Sequence, residues 1–230
     1  MGSSVRVKIC GITCVEDALD AGYAGADILG FILVKGTPRH IEPESVKKIV
    51  KELRKKFREE DRPGISVLFS DPASDPAELA GIIAGCGADH VQFHGDESPE
   101  YCARVKERSL GLSGRGIRLI KTFKVKAGIM KNSFYSMSDY GAADHFLFDT
   151  YVPGVGGGTG ENFNWKVLKE EKKNIDRPYF IAGGLDPGNV RDAVRETEPF
   201  GVDVSSGVET SPGRKDKVLV EEFIKNAKRT

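Results

Sequence analysis

The chain is poor in cysteine and tryptophan and carries no surplus of either charge. Four cysteines in 230 residues do not make the disulfide framework of a small secreted domain, and they point to a reducing compartment, the cytoplasm. Lys+Arg and Asp+Glu both number 34, so no global field draws in nucleic acid or an anionic membrane. No apolar run approaches the roughly 18–20 residues that a membrane-spanning helix needs. Met1-Gly2-Ser3-Ser4-Val5 has no basic region followed by an apolar core, so a secretory signal is not expected. The dinucleotide fingerprint Gly-x-Gly-x-x-Gly fails at Gly154-Val155-Gly156, where Thr159 takes the last position. No Gly-x-x-x-x-Gly-Lys-Ser/Thr loop stands in for it, so a nucleotide cofactor has no support. Cys10 and Cys14 have no second ligand pair at finger-like spacing, and no metal is expected.

What the sequence does have is one unit repeated: a short apolar run, a loop, then an amphipathic helix. Strands are expected at roughly 5–10, 27–34, 64–70, 88–93, 116–122, 144–149, 178–182 and 201–205, with ends good to about two to four residues. Runs such as Ile28-Leu29-Gly30-Phe31-Ile32-Leu33-Val34 suit parallel strands buried on both faces. The helices show the longer period. Val46, Ile49, Val50, Leu53 and Phe57 form one stripe, and Leu219, Val220, Phe223, Ile224 and Ala227 form another. Asp186-Pro187 reads as an N-cap with Pro at the first helical position. The fifth helix, over 124–141, is poor in long apolar side chains, and 108–116 reads as a flexible connector. The glycine-rich stretch 150–163 is the longest loop, and such loops are usually functional or disordered. No composition shift divides the chain. The expectation is a single α/β domain over 1–230, a parallel eight-stranded (β/α)₈ TIM barrel.

In such a barrel the chemistry sits at the C-terminal tips of the strands. Cys10 ends the first strand and Asp149 the sixth. A thiolate at that place is a base or a nucleophile, although a free cysteine also serves as a small buried hydrophobe. A carboxyl group at the end of an apolar run sits in a partly dry cleft, which favours the acid form; a strand-end Asp also caps the loop that follows. Three glycine-rich loops follow strands 6, 7 and 8: Gly156-Gly157-Gly158-Thr159-Gly160, Ala182-Gly183-Gly184-Leu185 and Ser205-Ser206-Gly207-Val208. Loops after strands 7 and 8 commonly hold a phosphate on converging backbone N–H groups, which makes Gly184, Ser206 and Gly207 binding candidates. Arg39, after strand 2, has the fork that clamps a carboxylate, although its residue type and place alone read first as a solvated surface side chain. His94 ends strand 4 on the same rim, whereas His90 and His145 begin their strands on the opposite face.

Val7-Lys8-Ile9-Cys10-Gly11-Ile12-Thr13 resembles the opening signature of the phosphoribosylanthranilate isomerases, enzymes of tryptophan biosynthesis. The likeness continues in order through Gly25-Ala26-Asp27, Pro38-Arg39, Val91-Gln92-Phe93-His94-Gly95-Asp96-Glu97, Leu147-Phe148-Asp149-Thr150, Gly157-Gly158-Thr159-Gly160, Ala182-Gly183-Gly184-Leu185 and Asp203-Val204-Ser205-Ser206-Gly207-Val208-Glu209. Phe93 stands where the family usually has Leu. The resemblance implies an Amadori rearrangement of N-(5'-phosphoribosyl)anthranilate to 1-(2-carboxyphenylamino)-1-deoxyribulose 5-phosphate. It also implies that Cys10 matches the family's general base, Asp149 its general acid and Arg39 its carboxylate anchor. Gly158, Gly184, Ser206 and Gly207 would face the phosphosugar, with His94 beside it. Both chemical steps are proton transfers, so no cofactor is implied. Nothing in the sequence chooses between monomer and homodimer.

The nearest rival, the ketol isomerase of histidine synthesis, resembles this fold but uses a carboxylate where Cys10 stands. Indole-glycerol-phosphate synthase relies on a Lys/Glu set, and the motif around Lys8 does not match it. A phosphate-ligand sensor would keep Gly184 and Ser206-Gly207 without needing Cys10 or Asp149. A thiol redox protein would want a Cys-x-x-Cys spacing that is absent.

Overall fold

The computed structural model of the chain describes residues 5–70, 74–114, 116–126, 129–131, 135–149, 168–169 and 172–229. Eight strands carry the fold: β1 (Arg6–Cys10), β2 (Ile28–Ile32), β3 (Gly64–Phe69), β4 (His90–Phe93), β5 (Arg118–Lys126), β6 (His145–Asp149), β7 (Tyr179–Ala182) and β8 (Gly201–Val204). Each pairs in parallel with the next, and β8 returns to β1 through Lys8↔Asp203, so the sheet closes on itself. The barrel read from the repeat is the barrel that forms, and closure removes the unpaired edges an open sheet would expose.

Among the described residues, six α-helices pack outside the ring: α1 (Val15–Tyr23), α2 (Pro43–Lys56), α3 (Pro76–Cys86), α4 (Pro99–Ser113), α5 (Val190–Thr197) and α6 (Lys217–Lys228). Three of them start at a short polar side chain that caps the first turn. Asp75 accepts from the amides of Ala77 and Glu78, Ser98 from Tyr101, and Asp216 from Val218 and Leu219. In α3 and α4 a proline follows the cap at the first turn, where its missing N–H has no partner to lose. On α2, Val46, Ile49, Val50 and Leu53 are buried, and burying such a side chain stabilises by about 1.5–3 kcal/mol. The outward faces of the strands and the helix stripes form the main core, while Ile28, Ile120, Leu147, Phe180 and Ala182 make a smaller cluster of their own. Those five point inward by the two-residue alternation of their strands. The lumen is therefore filled with side chains.

Three expectations change. No α-helix forms among the described residues of 124–141. Instead β5 runs on to Lys126 and turns back into a short antiparallel strand, Ile129–Lys131, before a 3₁₀ turn at Met137–Asp139. Phe123 and Val125 are buried at alternate positions, a strand period that prevails over helix formation. Residues 108–113 are the last turns of α4, and Gly114 ends that helix in the left-handed region at φ 65°. Asp186 caps a turn through the amides of Gly188 and Asn189, and α5 begins later, at Val190.

Candidate active site

All the predicted site residues that fall within the described chain come to the C-terminal mouth. Gly158 lies outside the described residues. A cavity of about 620 Å³ is lined by Arg39, His94 and Asp149, with Ile32, Leu68 and Lys124 among its other walls. His94 follows β4, and its Nε2 lies 3.3 Å from Oδ2 of Asp149 at the tip of β6. The Nδ1 of His94 is buried and has no partner among the described residues. The imidazole therefore meets Asp149 with one edge and keeps the other in reserve.

Arg39 is held rather than loose. Its Nε donates to both Glu209 oxygens at 2.8 and 3.1 Å, and its Nη2 donates to Oε2 at 2.6 Å. Those hydrogen bonds lead in raising the guanidinium above its ordinary value. Glu209 is shared with Lys215, whose Nζ donates to it at 2.7 Å and to the Ser205 carbonyl at 3.1 Å. Burial opposes the Glu209 charge, but the bonds from Arg39 and Lys215 outweigh it and hold the carboxyl below its usual range. The surface-arginine reading is thereby set aside. The fork is pre-oriented across the mouth, and Nη1 has no hydrogen-bond partner among the described residues.

Cys10 sits at the tip of β1, 4% exposed, outside the lining of the cavity. Burial pushes its thiol up, and Asp203 adds to that push. The ammonium groups of Lys8 and Lys215 pull it down. Lys8 is itself fully buried, 2.9 Å from Oδ1 of Asp203 on β8. Burial disfavours its charge, yet Asp203 and Cys10 together hold it above the ordinary lysine value, while burial pushes the Asp203 carboxyl up against the pull of Lys8. Cys14 is spatially separate in role, because its sulfur accepts from Arg214 at 3.2 Å.

The loops after β7 and β8 meet. Gly184 adopts φ 66°, and its carbonyl accepts from Asn189 at 2.8 Å. Ser206 opens a 3₁₀ turn, Ser206–Val208. A Cβ on Gly207 would land on the backbone carbonyl of Leu185, so the two loops touch main chain to main chain. His90 and His145 begin β4 and β6 at the far end of the barrel, buried, as expected of the stability face.

Lys8, Asp203, Glu209 and Lys215 were not singled out by the sequence reading. Lys8 and Asp203 had a signal, since each is a charge flanked by apolar residues within a strand. Glu209 and Lys215 had none, because their role depends on contact with Arg39 across the fold.

Residues 7–226 match the family described as N-(5'phosphoribosyl)anthranilate (PRA) isomerase. The chain is 40% identical over 224 residues to a protein from Trichlorobacter lovleyi named N-(5'-phosphoribosyl)anthranilate isomerase, covering 97% of this chain and 98% of that one. Among solved structures it resembles the phosphoribosyl anthranilate isomerase from Thermotoga maritima at TM-score 0.79 and 34% identity, covering 98% of this chain and 100% of that one. A phosphoribosyl anthranilate isomerase in complex with reduced 1-(o-carboxyphenylamino)-1-deoxyribulose 5-phosphate is similar at TM-score 0.76 and 32% identity, with 98% and 100% covered.

Proposed function

The chain belongs to the N-(5'-phosphoribosyl)anthranilate isomerase family and catalyses that isomerisation in tryptophan biosynthesis; from this premise we propose how its residues divide the work. Asp149, in its acid form, protonates the furanose ring oxygen and opens the sugar to a Schiff base. Cys10, as a thiolate, takes the proton from the adjacent sugar carbon and leaves an enolamine, which tautomerises to the ketone. Asp149 has then lost a proton and Cys10 has gained one, and exchange with solvent resets both. Each positioned acid or base contributes roughly 10²–10⁴-fold. The steps move protons alone, so the chemistry asks for no metal or redox carrier.

Arg39 takes the anthranilate carboxylate on the edge that Glu209 leaves open, and His94 orients Asp149 beside the sugar. Gly184, Ser206 and Gly207 hold the phosphate, with Gly158 contributing from the loop after β6. Anchoring a dianion at one end and a carboxylate at the other brings the reacting carbon between acid and base. One observation carries the reading: thiol and carboxyl sit at strand tips of the same mouth, with Arg39 and the paired loops around them. The bound compound in the similar complex has a carboxyphenyl group and a phosphate, which are the two ends this arrangement would take. We further carry 1–230 as a single cytoplasmic catalytic domain, acting as a monomer or homodimer without nucleic-acid or membrane partners. A similar Thermotoga maritima enzyme is described as dimeric and was also solved as monomers.

The test follows the decay of anthranilate fluorescence with freshly made substrate. Cys10→Ala and Asp149→Asn should each lower kcat by roughly 10²–10⁴-fold. Near-wild-type turnover by either variant overturns the role given to that residue.

A further inference from the structure

A buried thiol is a poor base unless something pays for its negative charge. We propose that Lys8, held by Asp203 and resting with Cys10 against the bare backbone of Gly30, is the positioning residue that supplies the positive charge of a Cys10 thiolate. The proposal deepens the assignment of Cys10 as the base and rests on it.

The argument begins with the strand. Lys8 and Cys10 are two residues apart on β1, so their side chains leave the same face and both enter the barrel. β2 lies alongside in the register Cys10↔Gly30. A Cβ placed on Gly30 would stand 2.8 Å from Sγ of Cys10 and 3.1 Å from Nζ of Lys8. Sulfur and ammonium therefore occupy the space that any side chain at position 30 would fill. On the other flank, β8 places Asp203 opposite Lys8 in register, with Nζ and Oδ1 2.9 Å apart. Asp203 anchors the lysine, and the absent side chain of Gly30 leaves room for ammonium and sulfur over the same stretch of β2.

The other charges around the thiol do not duplicate this role. Lys215, from the hairpin after β8, acts on Cys10 but is engaged by Glu209 and the Ser205 carbonyl. Arg39, from the loop after β2, feels Cys10 but is clamped by Glu209. Asp149 and His94 act on Asp203 from the far side of the mouth. Lys8 is the fully buried cation that is paired with Asp203 and whose charge acts on the sulfur from the same strand. Asp203 has an opposite sense, since its own negative charge works against a thiolate while its grip keeps Lys8 in place.

The experiment reads Cys10 without substrate. The folded protein is alkylated with iodoacetamide across a pH series, and the Cys10 peptide is quantified by mass spectrometry. Lys8→Met should move the alkylation midpoint up by roughly 1–3 pH units, the range for losing a neighbouring opposite charge. Lys8→Arg should bring it back toward wild type. Gly30→Ala, which keeps both charges but sets a methyl group against the sulfur and the ammonium, should move it up. The acid-side limb of kcat/KM should follow the same shifts in the active variants. A purely structural Lys8 would lower activity without displacing the midpoint. An unmoved midpoint in Lys8→Met overturns the proposal. If Lys8→Met does not fold, Lys8→Gln and Gly30→Ala are read in its place, and an unmoved midpoint in both overturns it. Full turnover by Cys10→Ala would instead defeat the base assignment, leaving the alkylation result to judge Lys8 separately.

Discussion

Two buried lysine–carboxylate pairs sit on opposite faces of the same sheet. Lys8 meets Asp203 at 2.9 Å inside the barrel, and Lys121 meets Glu97 at 2.7 Å outside it, with both lysines fully buried. The outer pair is closed on every side. Lys121 also donates to the Gly95 carbonyl at 2.7 Å and lies 5.2 Å from the centre of the Tyr140 ring. Glu97 also accepts from the Gly95 amide, and the Tyr140 hydroxyl donates to the Glu97 carbonyl. Those bonds fasten the turn after β4, the turn that begins with His94. The inner pair has one open side, occupied by Cys10. The same two functional groups thus serve as a rivet where backbone surrounds them and as an electrostatic source where a reactive atom does.

The largest test of this contrast removes one partner from the outer pair. Glu97→Gln strands a buried ammonium and should destabilise the fold by roughly 3–5 kcal/mol in urea unfolding, with the pH midpoint of Cys10 alkylation left in place. Replacing both partners by apolar residues, Lys121→Met with Glu97→Leu, should recover most of that loss. A Glu97→Gln protein whose Cys10 midpoint moves as far as that of Lys8→Met would dissolve the distinction.

A somewhat smaller effect concerns the far end of the barrel. Burial holds His90 down to about 4 from 6.5, and it also lowers His145. The unfolded chain therefore binds protons that the folded chain refuses. Stability from this layer is full above about pH 6.5 and is lost as pH falls toward 4, by up to roughly 3 kcal/mol for His90. Urea midpoints measured over that window should decline with acidification, and His90→Gln should flatten the decline. An unchanged slope would remove His90 from the account. This acid-side loss belongs to the stability end, so it should leave the Lys8-dependent shift in thiol reactivity untouched.

The smallest effect is expected at Arg39. Lysine there keeps the charge but loses the fork shared with Glu209. KM should rise about tenfold, equivalent to about 1.4 kcal/mol, with kcat little changed. A fall in kcat with KM constant would mean that Arg39 acts on the transition state instead.

Much of this architecture is legible before folding. The strands are readable because burial on both faces demands continuous apolar runs, and α2 and α6 because one-sided burial demands a stripe. The unit after β5 was misread because its signal is a period of two, Lys121, Phe123 and Val125 against Thr122, Lys124 and Lys126, continuing past the expected strand end. The last turns of α4 were hidden by Gly111 and by Leu110 and Leu112, which stay exposed and so contribute no stripe. At the mouth, Cys10, Asp149, Arg39 and His94 could be placed because strand ends are predictable. Their partners could not. Asp203 reaches Lys8 across 195 positions, and Glu209 reaches Arg39 across 170, and such pairings are decided by barrel closure rather than by local pattern.

Gly207 and Leu185 have a consequence for anyone rebuilding this enzyme. Because position 207 has no room for a side chain against the Leu185 carbonyl, the loops after β7 and β8 form a single part with two attachment points. Exchanging one loop for that of another barrel would set an unmatched surface against the remaining one. A graft that transfers 183–189 together with 205–209 keeps the seam intact, and recombination libraries should draw their crossover points outside that pair.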